Sequence, residues 1–257
     1  MAKYSDVFER KEIKHVINAT QHRQLEEALE GRMEIDAYGR SQITSIYYDT
    51  PRWEIIERSL DKPVYKEKLR VRIYGCPTDA TTDEAFIEVK KKYKGIVYKR
   101  RVRMTLAAAQ AYFDGMPYED AIRAYPLADP EAAAEALSFR SLQIAHEIDR
   151  FREFHGPLVP SMGIAVQRSA FVPILGAVND FATSDLRITV DEDVRYRNLV
   201  DGQADYQNLM EPGMCILEIK AMGAMPLWLV RFLDGAGIFP SSFSKYGEAY
   251  IRSVQAS

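Results

Sequence analysis

Cysteine is scarce in this sequence. Only Cys76 and Cys215 occur among its 257 residues, and neither belongs to a Cys-x-x-Cys or Cys/His pattern. Small secreted domains that depend on disulfides carry far more cysteine, so we expect both thiols to be reduced and structural in a cytosolic setting. The histidines show no metal-ligand spacing either, which argues against a zinc site.

Long hydrophobic runs are also absent. No stretch approaches the roughly 18 apolar residues that a membrane-spanning helix needs. The first residues, MAKYSDVFERK, do not contain the apolar segment of a signal peptide. We therefore expect a cytoplasmic protein with no membrane segment of its own, or a soluble piece of a larger assembly.

The chain has no strong excess of charge of one sign. Its formal net charge is -3, which argues against an overall basic nucleic-acid binder and requires any basic site to be local. At 47% hydrophobic residues it can bury a full core. Because the sequence has no internal repeat, low-complexity segment or long linker, we predict one domain over residues 1–257. A compositionally different, helical insertion is predicted over about 105–157.

The stretch Val64–Tyr74 is the most informative part of the sequence. As a β-strand it would direct alternate side chains to opposite faces. The face opposite the cations is mostly apolar and must be buried, so the cationic face is either open surface or the lining of a water-filled cavity. The cations on that face are Lys66, Lys68, Arg70 and Arg72.

The same alternation of charged and apolar residues recurs along the chain. It predicts strands over Phe8–Ile17, Glu84–Lys92, Ile96–Met104, Gly163–Val172, Leu186–Val194 and Met214–Lys220. The charged faces of these strands carry Arg10, Glu12, Lys14, Glu88, Lys90, Lys99, Arg101, Arg168, Arg187, Glu218 and Lys220. A further β-rich run is predicted over Ser41–Asp49, where β-branched and aromatic residues are frequent.

Helices are predicted between these strands from capping residues and apolar stripes. They cover Thr20–Glu30, Thr50–Leu60, Thr105–Gly115, Pro117–Tyr125, Asp129–His155, Pro226–Asp234 and Ser244–Val254. Because the helices need a sheet to cover, the apolar strand faces should point outward and the charged faces inward. We therefore predict an α+β fold, an antiparallel β-barrel that forms a polar, basic tunnel with helices packed on the outside. The alternative is a sandwich or meander with a solvated, charged outer face.

The type of charge on these faces favours a phosphate ligand. Like charges a few ångströms apart cost on the order of a few kcal/mol per pair at an effective dielectric of about 20, unless an anion compensates them. Arg provides a fork for bidentate phosphate contact and Lys a point charge. The carboxylates Glu12, Glu88 and Glu218 either neutralise neighbouring lysines or hold Mg²⁺ or Mn²⁺ together with substrate phosphates.

This pattern resembles the triphosphate tunnel metalloenzymes, and specifically the VTC domain, a polyphosphate-polymerase module. The matching stretches are ERKEIKHVI (Glu9–Ile17), SIYYDT (Ser45–Thr50), KEKLRVRIYG (Lys66–Gly75), FIEVKKKYKGIVYKRR (Phe86–Arg101), QRSAF (Gln167–Phe171), RITVDEDV (Arg187–Val194), LEIK (Leu217–Lys220) and SFSKYGEAY (Ser242–Tyr250). They follow the order of the family and span nearly the whole chain.

The resemblance implies a tunnel in which basic residues hold a nucleoside triphosphate and a growing polyphosphate. It implies catalytic roles for Lys14, Arg70, Arg72, Lys90, Glu218 and Lys245, the last as the lysine of the family's SKY motif. Phosphate binding would involve Lys66, Lys68, Lys99, Arg101, Arg168, Arg187 and Lys220. The metal, Mn²⁺ or Mg²⁺, would be held by Glu218, with Glu12 and Glu88 as further candidates.

The sequence departs from the family pattern in three places. The superfamily signature ExExK reads RxExK here, with Arg10 at its first position, which leaves one metal carboxylate fewer. An additional tunnel arginine of the eukaryotic members falls near Ser59, and Lys66 or Lys68 could supply its charge. The SPX domain and membrane helices of the eukaryotic complex are absent from this sequence, so coupled translocation is not implied.

The expected activity is polyphosphate synthesis, in which ATP and a chain of n phosphates yield ADP and a chain of n+1. Hydrolysis of a triphosphate in the same tunnel is the enzymatic alternative, and a non-catalytic module that binds polyphosphate or another polyanion is the alternative of another class. Nucleic acid ranks below these because Tyr65, Tyr74, Tyr93 and Tyr98 do not form a stacking platform. The phosphate acceptor and any protein partner are left open by the sequence.

Overall fold

The computed structural model describes residues 11–94, 96–174, 176, 183, 185–221 and 223–255. Its strands are β1 (Lys11–Ile17), β2 (Met33–Asp49), β3 (Tyr65–Tyr74), β4 (Glu84–Tyr93), β5 (Ile96–Thr105), β6 (Val159–Pro173), β7 (Arg187–Asn198), β8 (Gln207–Asn208) and β9 (Cys215–Ala221). The helices are α1 (Ala19–Leu29), α2 (Glu54–Leu60), α3 (Leu106–Phe113), α4 (Tyr118–Ala124), α5 (Pro130–Ala136), α6 (Phe139–His155), α7 (Leu227–Gly235) and α8 (Lys245–Gln255).

The strands form a nine-stranded sheet in the order β1-β9-β7-β6-β2-β3-β4-β5, with β8 beside β7. The pairings β1–β9, β7–β9, β2–β3, β3–β4 and β4–β5 are antiparallel. The predicted α+β class with an antiparallel sheet is confirmed.

The chain divides into two compact units, each assembled from separate stretches of sequence. The first unit comprises Met1–Ser41, Val166–Val194 and Asn208–Ser244. The second comprises Gln42–Ala165, Arg195–Gln207 and Lys245–Ser257.

The core of the second unit lies between the apolar faces of β3, β4 and β5 and the helices of the segment that follows them. Leu69, Ile87 and Val102 represent the strand side of this core, and Tyr112 and Ile148 the helix side; all are fully or almost fully buried. Period-two alternation places these strand residues opposite the cations. The prediction that helices cover the apolar strand faces is confirmed in this unit.

The core of the first unit follows the same plan. The apolar faces of β1, β7 and β9 contribute Ile17, Ile188 and Leu217, which pack with Leu25 of α1 and Leu229 of α7. The alternation places Lys14, Arg187, Asp191, Glu218 and Lys220 on the opposite face of these strands.

The predicted start of α2 was wrong. The helix begins at Glu54, after Trp53 in the left-handed region with φ 63°, and not at the Thr50-Pro51 step. The Asp49 carboxylate accepts hydrogen bonds from the backbone N–H groups of Ile55 and Ile56, which lie in the first helical turn. It therefore satisfies donors that the first turn of a helix leaves open, which places the helix start after the Thr50-Pro51 turn.

The predicted long helix from Asp129 to His155 was also wrong. The structure divides it into α5 and α6, because the Ser138 hydroxyl accepts a hydrogen bond from the Ser141 N–H and caps a new helix.

The predicted β2 was too short, since the strand begins at Met33 and not at Ser41. The beginning of the first predicted strand, Phe8 to Arg10, lies outside the described residues. Within the described part of the chain, no helix has both the length and the apolar content required to cross a lipid bilayer.

Candidate functional site

The register of β3, β4 and β5 brings three predicted lysines together in the second unit. Lys68 is directly opposite Lys90, and Lys90 is directly opposite Lys99. Neighbouring strands lie about 4.8 Å apart, and like charges placed directly opposite each other are destabilising. We call these three residues the lysine row. An anion bound along the row would interact favourably with each of the three ammonium groups, so the row is a favourable place for a phosphate chain.

The adjacent row contains a buried carboxylate surrounded by cations. Glu88 is 1% exposed, and its Oε2 lies 2.7 Å from Nε and 2.6 Å from Nη2 of Arg70. Its Oε1 accepts a 2.9 Å hydrogen bond from Lys99 Nζ, and Arg72 Nε lies 3.8 Å from Oε2. We call Arg70, Arg72, Glu88 and Lys99 the Glu88 cluster.

The Glu88 cluster keeps an excess of positive charge. Burial alone would raise the pKa of Glu88, but Arg70, Arg72 and Lys99 outweigh burial and hold that pKa well below its usual range. One carboxylate therefore remains ionised among three cations. Of the two roles that the sequence left open for Glu88, the structure shows the ion pair, since both carboxylate oxygens contact cations.

Tyr47 belongs to the same charged face and was missed in the sequence. Its phenol oxygen accepts a 3.0 Å hydrogen bond from Nη1 of Arg70, and its ring stacks on Tyr246 with centroids 4.4 Å apart. Burial acts to raise the pKa of Tyr47, but Arg70, Lys68 and Arg72 together lower it to about 7. The alternation of β2, which places Ser45, Tyr47 and Asp49 on one face, is a signal that could have identified Tyr47.

Tyr246 connects this charged face to the start of α8. Its hydroxyl donates a 2.6 Å hydrogen bond to Asp49, and Nζ of Lys68 lies 5.4 Å from the centroid of its ring. Lys245, the predicted lysine of the SKY motif, is the first residue of α8 and directly precedes Tyr246. The position of Lys245 thus depends on the packing of Tyr246.

The first unit contains a second carboxylate surrounded by cations. Lys14 Nζ lies 3.3 Å from Glu218 Oε1, while Lys220 Nζ and Arg168 Nη2 lie 3.5 and 4.0 Å from Oε2. We call Lys14, Arg168, Glu218 and Lys220 the Glu218 cluster. Glu12 lies on the other side of Lys14, with 3.6 Å between Oε1 and Nζ. The two carboxylates thus lie on neighbouring strands, β1 and β9, of this unit.

Two acidic partners in the first unit were not predicted. Asp191 has no exposed surface and forms two hydrogen bonds with Arg168, of 2.5 Å to Nε and 2.7 Å to Nη2. This fork fixes the plane of the Arg168 guanidinium. Arg187 donates a 2.8 Å hydrogen bond from Nη2 to Asp36 of β2.

Two predicted phosphate-binding cations occupy separate positions in the second unit. Lys66 Nζ donates a 3.4 Å hydrogen bond to the Ser59 carbonyl, and burial, followed by repulsion from Lys92 and Lys62, lowers its pKa. Arg101 is exposed and lies over the ring of Phe86, 4.6 Å from its centroid.

The carboxylates of the first unit suit a cation that arrives with a phosphate ligand. Among the residues that the structure describes, no group of three or more His, Cys, Asp or Glu side chains could hold a metal alone. Mg²⁺ and Mn²⁺ need only one or two carboxylates when substrate phosphates and waters complete the shell. Glu12 and Glu218 provide such oxygen donors on adjacent strands.

Comparison with known protein families matches residues 9–254, nearly the whole chain, to the family model described as VTC domain. No curated protein matches the chain. A solved Vibrio parahaemolyticus structure, of a protein proposed to be an adenylate cyclase, has 12% identity and a TM-score of 0.47 over 93% of this chain and 96% of that one. A chain of the Schizosaccharomyces pombe Mediator head module has 7% identity and a TM-score of 0.41 over 88% and 90%. Both TM-scores are below 0.5, so the assignment of this chain to a protein family rests on the match to the family model alone.

Proposed function

We propose that this chain, which belongs to the VTC domain family, catalyses metal-dependent phosphoryl transfer and acts as a polyphosphate polymerase. The proposed donor is a nucleoside triphosphate such as ATP, and the proposed acceptor is a phosphate or the end of a polyphosphate chain. The family match supports phosphoryl transfer on a triphosphate. That the reaction builds a phosphate polymer is the more specific part of the proposal.

The observation that carries the proposal is the lysine row. Three lysines directly opposite one another on paired strands form a linear array of positive charge. A single small anion would compensate part of that array, whereas a chain of phosphates can contact each lysine in turn. The neighbouring Glu88 cluster adds Arg70 and Arg72, whose guanidinium groups can contact phosphate oxygens in a bidentate fashion.

The proposed chemistry requires positioning and charge neutralisation, and no side chain needs to act as a nucleophile. An oxygen of the acceptor phosphate attacks the γ-phosphorus in line, the bond to the β-phosphate oxygen breaks, and the nucleoside diphosphate leaves. The cations hold the reacting groups and stabilise the charge that develops on the phosphate oxygens. A divalent metal, when bound, would neutralise phosphate charge in the same way.

The residues divide by role in this proposal. Lys14, Arg70, Arg72, Lys90, Glu218 and Lys245 are assigned to the transfer step, and Lys66, Lys68, Lys99, Arg101, Arg168, Arg187 and Lys220 to phosphate binding. Glu218, with Glu12 beside Lys14, is assigned to the metal. Glu88 is assigned to the orientation of Arg70 and Lys99, which follows from its contacts.

Incubation of the purified protein with ATP and Mn²⁺, followed by analysis of the products, tests the proposal. We expect ADP and a phosphate polymer, and we expect Lys90→Gln to abolish the polymer. Lys91→Gln is the matched control, because Lys91 is adjacent but on the opposite face and pairs with Glu147 at 2.6 Å. ADP with orthophosphate alone would show a hydrolase, and binding of polyphosphate without ATP turnover or metal dependence would show a non-catalytic module.

A further inference from the structure

The end of the sheet formed by β3, β4 and β5 exposes large apolar side chains. Tyr65, Tyr93 and Ile96 are directly opposite one another in the register of these strands. Lys94, which follows β4, lies beside the start of β3, since its N–H donates a 3.1 Å hydrogen bond to the Val64 carbonyl. We call Tyr93, Lys94, Ile96, Val97 and Tyr98 the hairpin tip.

Apolar side chains are open to solvent on both faces of the hairpin tip. Ile96 is 38% and Val97 is 43% exposed, and consecutive strand residues point to opposite faces. Tyr93 and Tyr98, which share the face of Ile96, are also exposed. Exposed apolar clusters of this kind mark interaction sites more often than isolated exposed residues do.

Lysines flank the hairpin tip. Lys66 and Lys92 are directly opposite each other, and burial, followed by repulsion from Lys92 and Lys62, lowers the pKa of Lys66. Lys94 Nζ lies 5.4 Å from the centroid of the Tyr93 ring. The surface therefore combines aliphatic residues, tyrosines and lysines within one turn and its flanking strands.

We propose that the hairpin tip docks on an anionic lipid bilayer. Ile96 and Val97 enter the interfacial region, Tyr93 and Tyr98 lie at the level of the headgroups, and Lys92 and Lys94 contact lipid phosphates. Tyrosine is enriched at membrane–water interfaces, and lysine can bury its stem while its ammonium group stays at the headgroups.

The exposure of both faces favours a bilayer over a protein partner. A protein surface that packs against a sheet covers one of its faces, and the other face would keep its exposed apolar residue. The bilayer interface surrounds an inserted loop and covers both Ile96 and Val97. The positive charge selects anionic headgroups, because each lysine near such a surface strengthens binding roughly fivefold.

Co-sedimentation with vesicles tests this proposal. We expect the full chain to sediment with vesicles of phosphatidylcholine mixed with phosphatidylglycerol, and far less with vesicles of phosphatidylcholine alone. Ile96→Ser combined with Val97→Ser should abolish most of the binding, and Lys92→Gln combined with Lys94→Gln should weaken it by roughly an order of magnitude or more. Ile35→Ser is the matched control, because Ile35 is an exposed strand residue outside the hairpin.

A second measurement distinguishes insertion of the hairpin tip into the bilayer from electrostatic attraction between the lipid headgroups and cations elsewhere on the protein. The wild-type chain already contains Trp53 and Trp228, so the emission of a Val97→Trp variant is compared with that of wild type. The difference, which reports the new indole, should shift to the blue when the mixed vesicles are added, and the same shift should occur in excess inorganic triphosphate. The proposal would be overturned if the protein did not bind vesicles or if it bound both vesicle types equally. It would also be overturned by binding that resists the Ile96 and Val97 substitutions but is abolished by triphosphate. ATP turnover without vesicles should be the same in the Ile96/Val97 double variant, which keeps this test independent of the proposed enzymatic function.

Discussion

The hydroxyl of Tyr246 donates a 2.6 Å hydrogen bond to Oδ2 of Asp49, a carboxylate with no exposed surface. The same carboxylate accepts hydrogen bonds from the backbone of Thr50, Ile55 and Ile56. Burial raises the pKa of Asp49, and these hydrogen bonds act against that rise. One side chain therefore joins the end of β2, the start of α2 and the first turn of α8.

Tyr246→Phe should destabilise the protein by about 1–3 kcal/mol, because a buried carboxylate loses a donor while the stack on Tyr47 is retained. Urea denaturation measures this change. Tyr250→Phe is the control, since Tyr250, on the same helix, donates a comparable hydrogen bond to the exposed side chain of Glu57. For this control we expect the free energy of unfolding to fall by no more than about 0.5 kcal/mol. Equal losses in both variants would contradict the role assigned to Asp49.

Tyr47 should ionise near neutral pH in the folded protein. Its pKa is about 7, against an ordinary value of 10.0, so tyrosinate absorbance should rise in that range and should be missing in Tyr47→Phe. Since the folded state releases this proton first, stability should increase as pH rises from about 7 to about 10. Saturating inorganic triphosphate should move the tyrosinate step to higher pH, because an anion on Lys68 and Arg70 cancels the charge that favours the phenolate. Titration only near the ordinary value would contradict this account.

Glu88→Gln should destabilise the free protein by about 3–5 kcal/mol, the cost of breaking a buried ion pair on one side. The pKa of Glu88 is lowered on folding, so its contribution is present above the unfolded value of 4.5 and is lost as pH falls. Inorganic triphosphate should stabilise Glu88→Gln more than wild type in a thermal unfolding assay, because it supplies the missing negative charge. Glu84→Gln, at an exposed pair with Arg103, should show neither effect. Equal stabilisation of Glu88→Gln and wild type would show that triphosphate binds elsewhere.

His15 should make the protein sensitive to mild acid. The side chain is buried on the apolar face of β1, and burial lowers its pKa below 6.5 against an opposing hydrogen bond with the Leu217 backbone. The unfolded chain takes up the proton first, so stability should fall below pH 6.5 with a slope of at most about 1.4 kcal/mol per pH unit from this group. Urea denaturation at several pH values should show a smaller slope for His15→Leu. An unchanged slope would contradict the assignment.

The sequence was sufficient to predict β3, β4 and β5 to within about one residue, because strict alternation of charged and apolar residues specifies both a strand and its faces. The break between α5 and α6 was not predictable from the apolar pattern, which continues across Ser138. The start of α2 depends on Asp49, a residue outside the helix whose side chain reaches its first turn.

The sequence was sufficient to predict which residue types form the site and on which strand face they lie. It was less informative about which of these residues contact one another. Lys68, Lys90 and Lys99 were identified from alternation, and only the register showed that they are directly opposite one another. The partnership of Arg168 with Asp191 depends on tertiary structure, since 23 positions separate the two residues. The role of Tyr47 follows from its contact with Arg70. The sequence predicted the strand that contains Tyr47, but it did not show which strand pairs with it.

A crystal structure with inorganic triphosphate would show whether the lysine row is the phosphate site. Phosphate oxygens should lie within hydrogen-bonding distance of Lys68 and Lys90 on the charged face of β3 and β4, and Arg70 should contact the same ligand. Triphosphate bound at another surface, with the lysine row facing bulk solvent, would contradict this expectation.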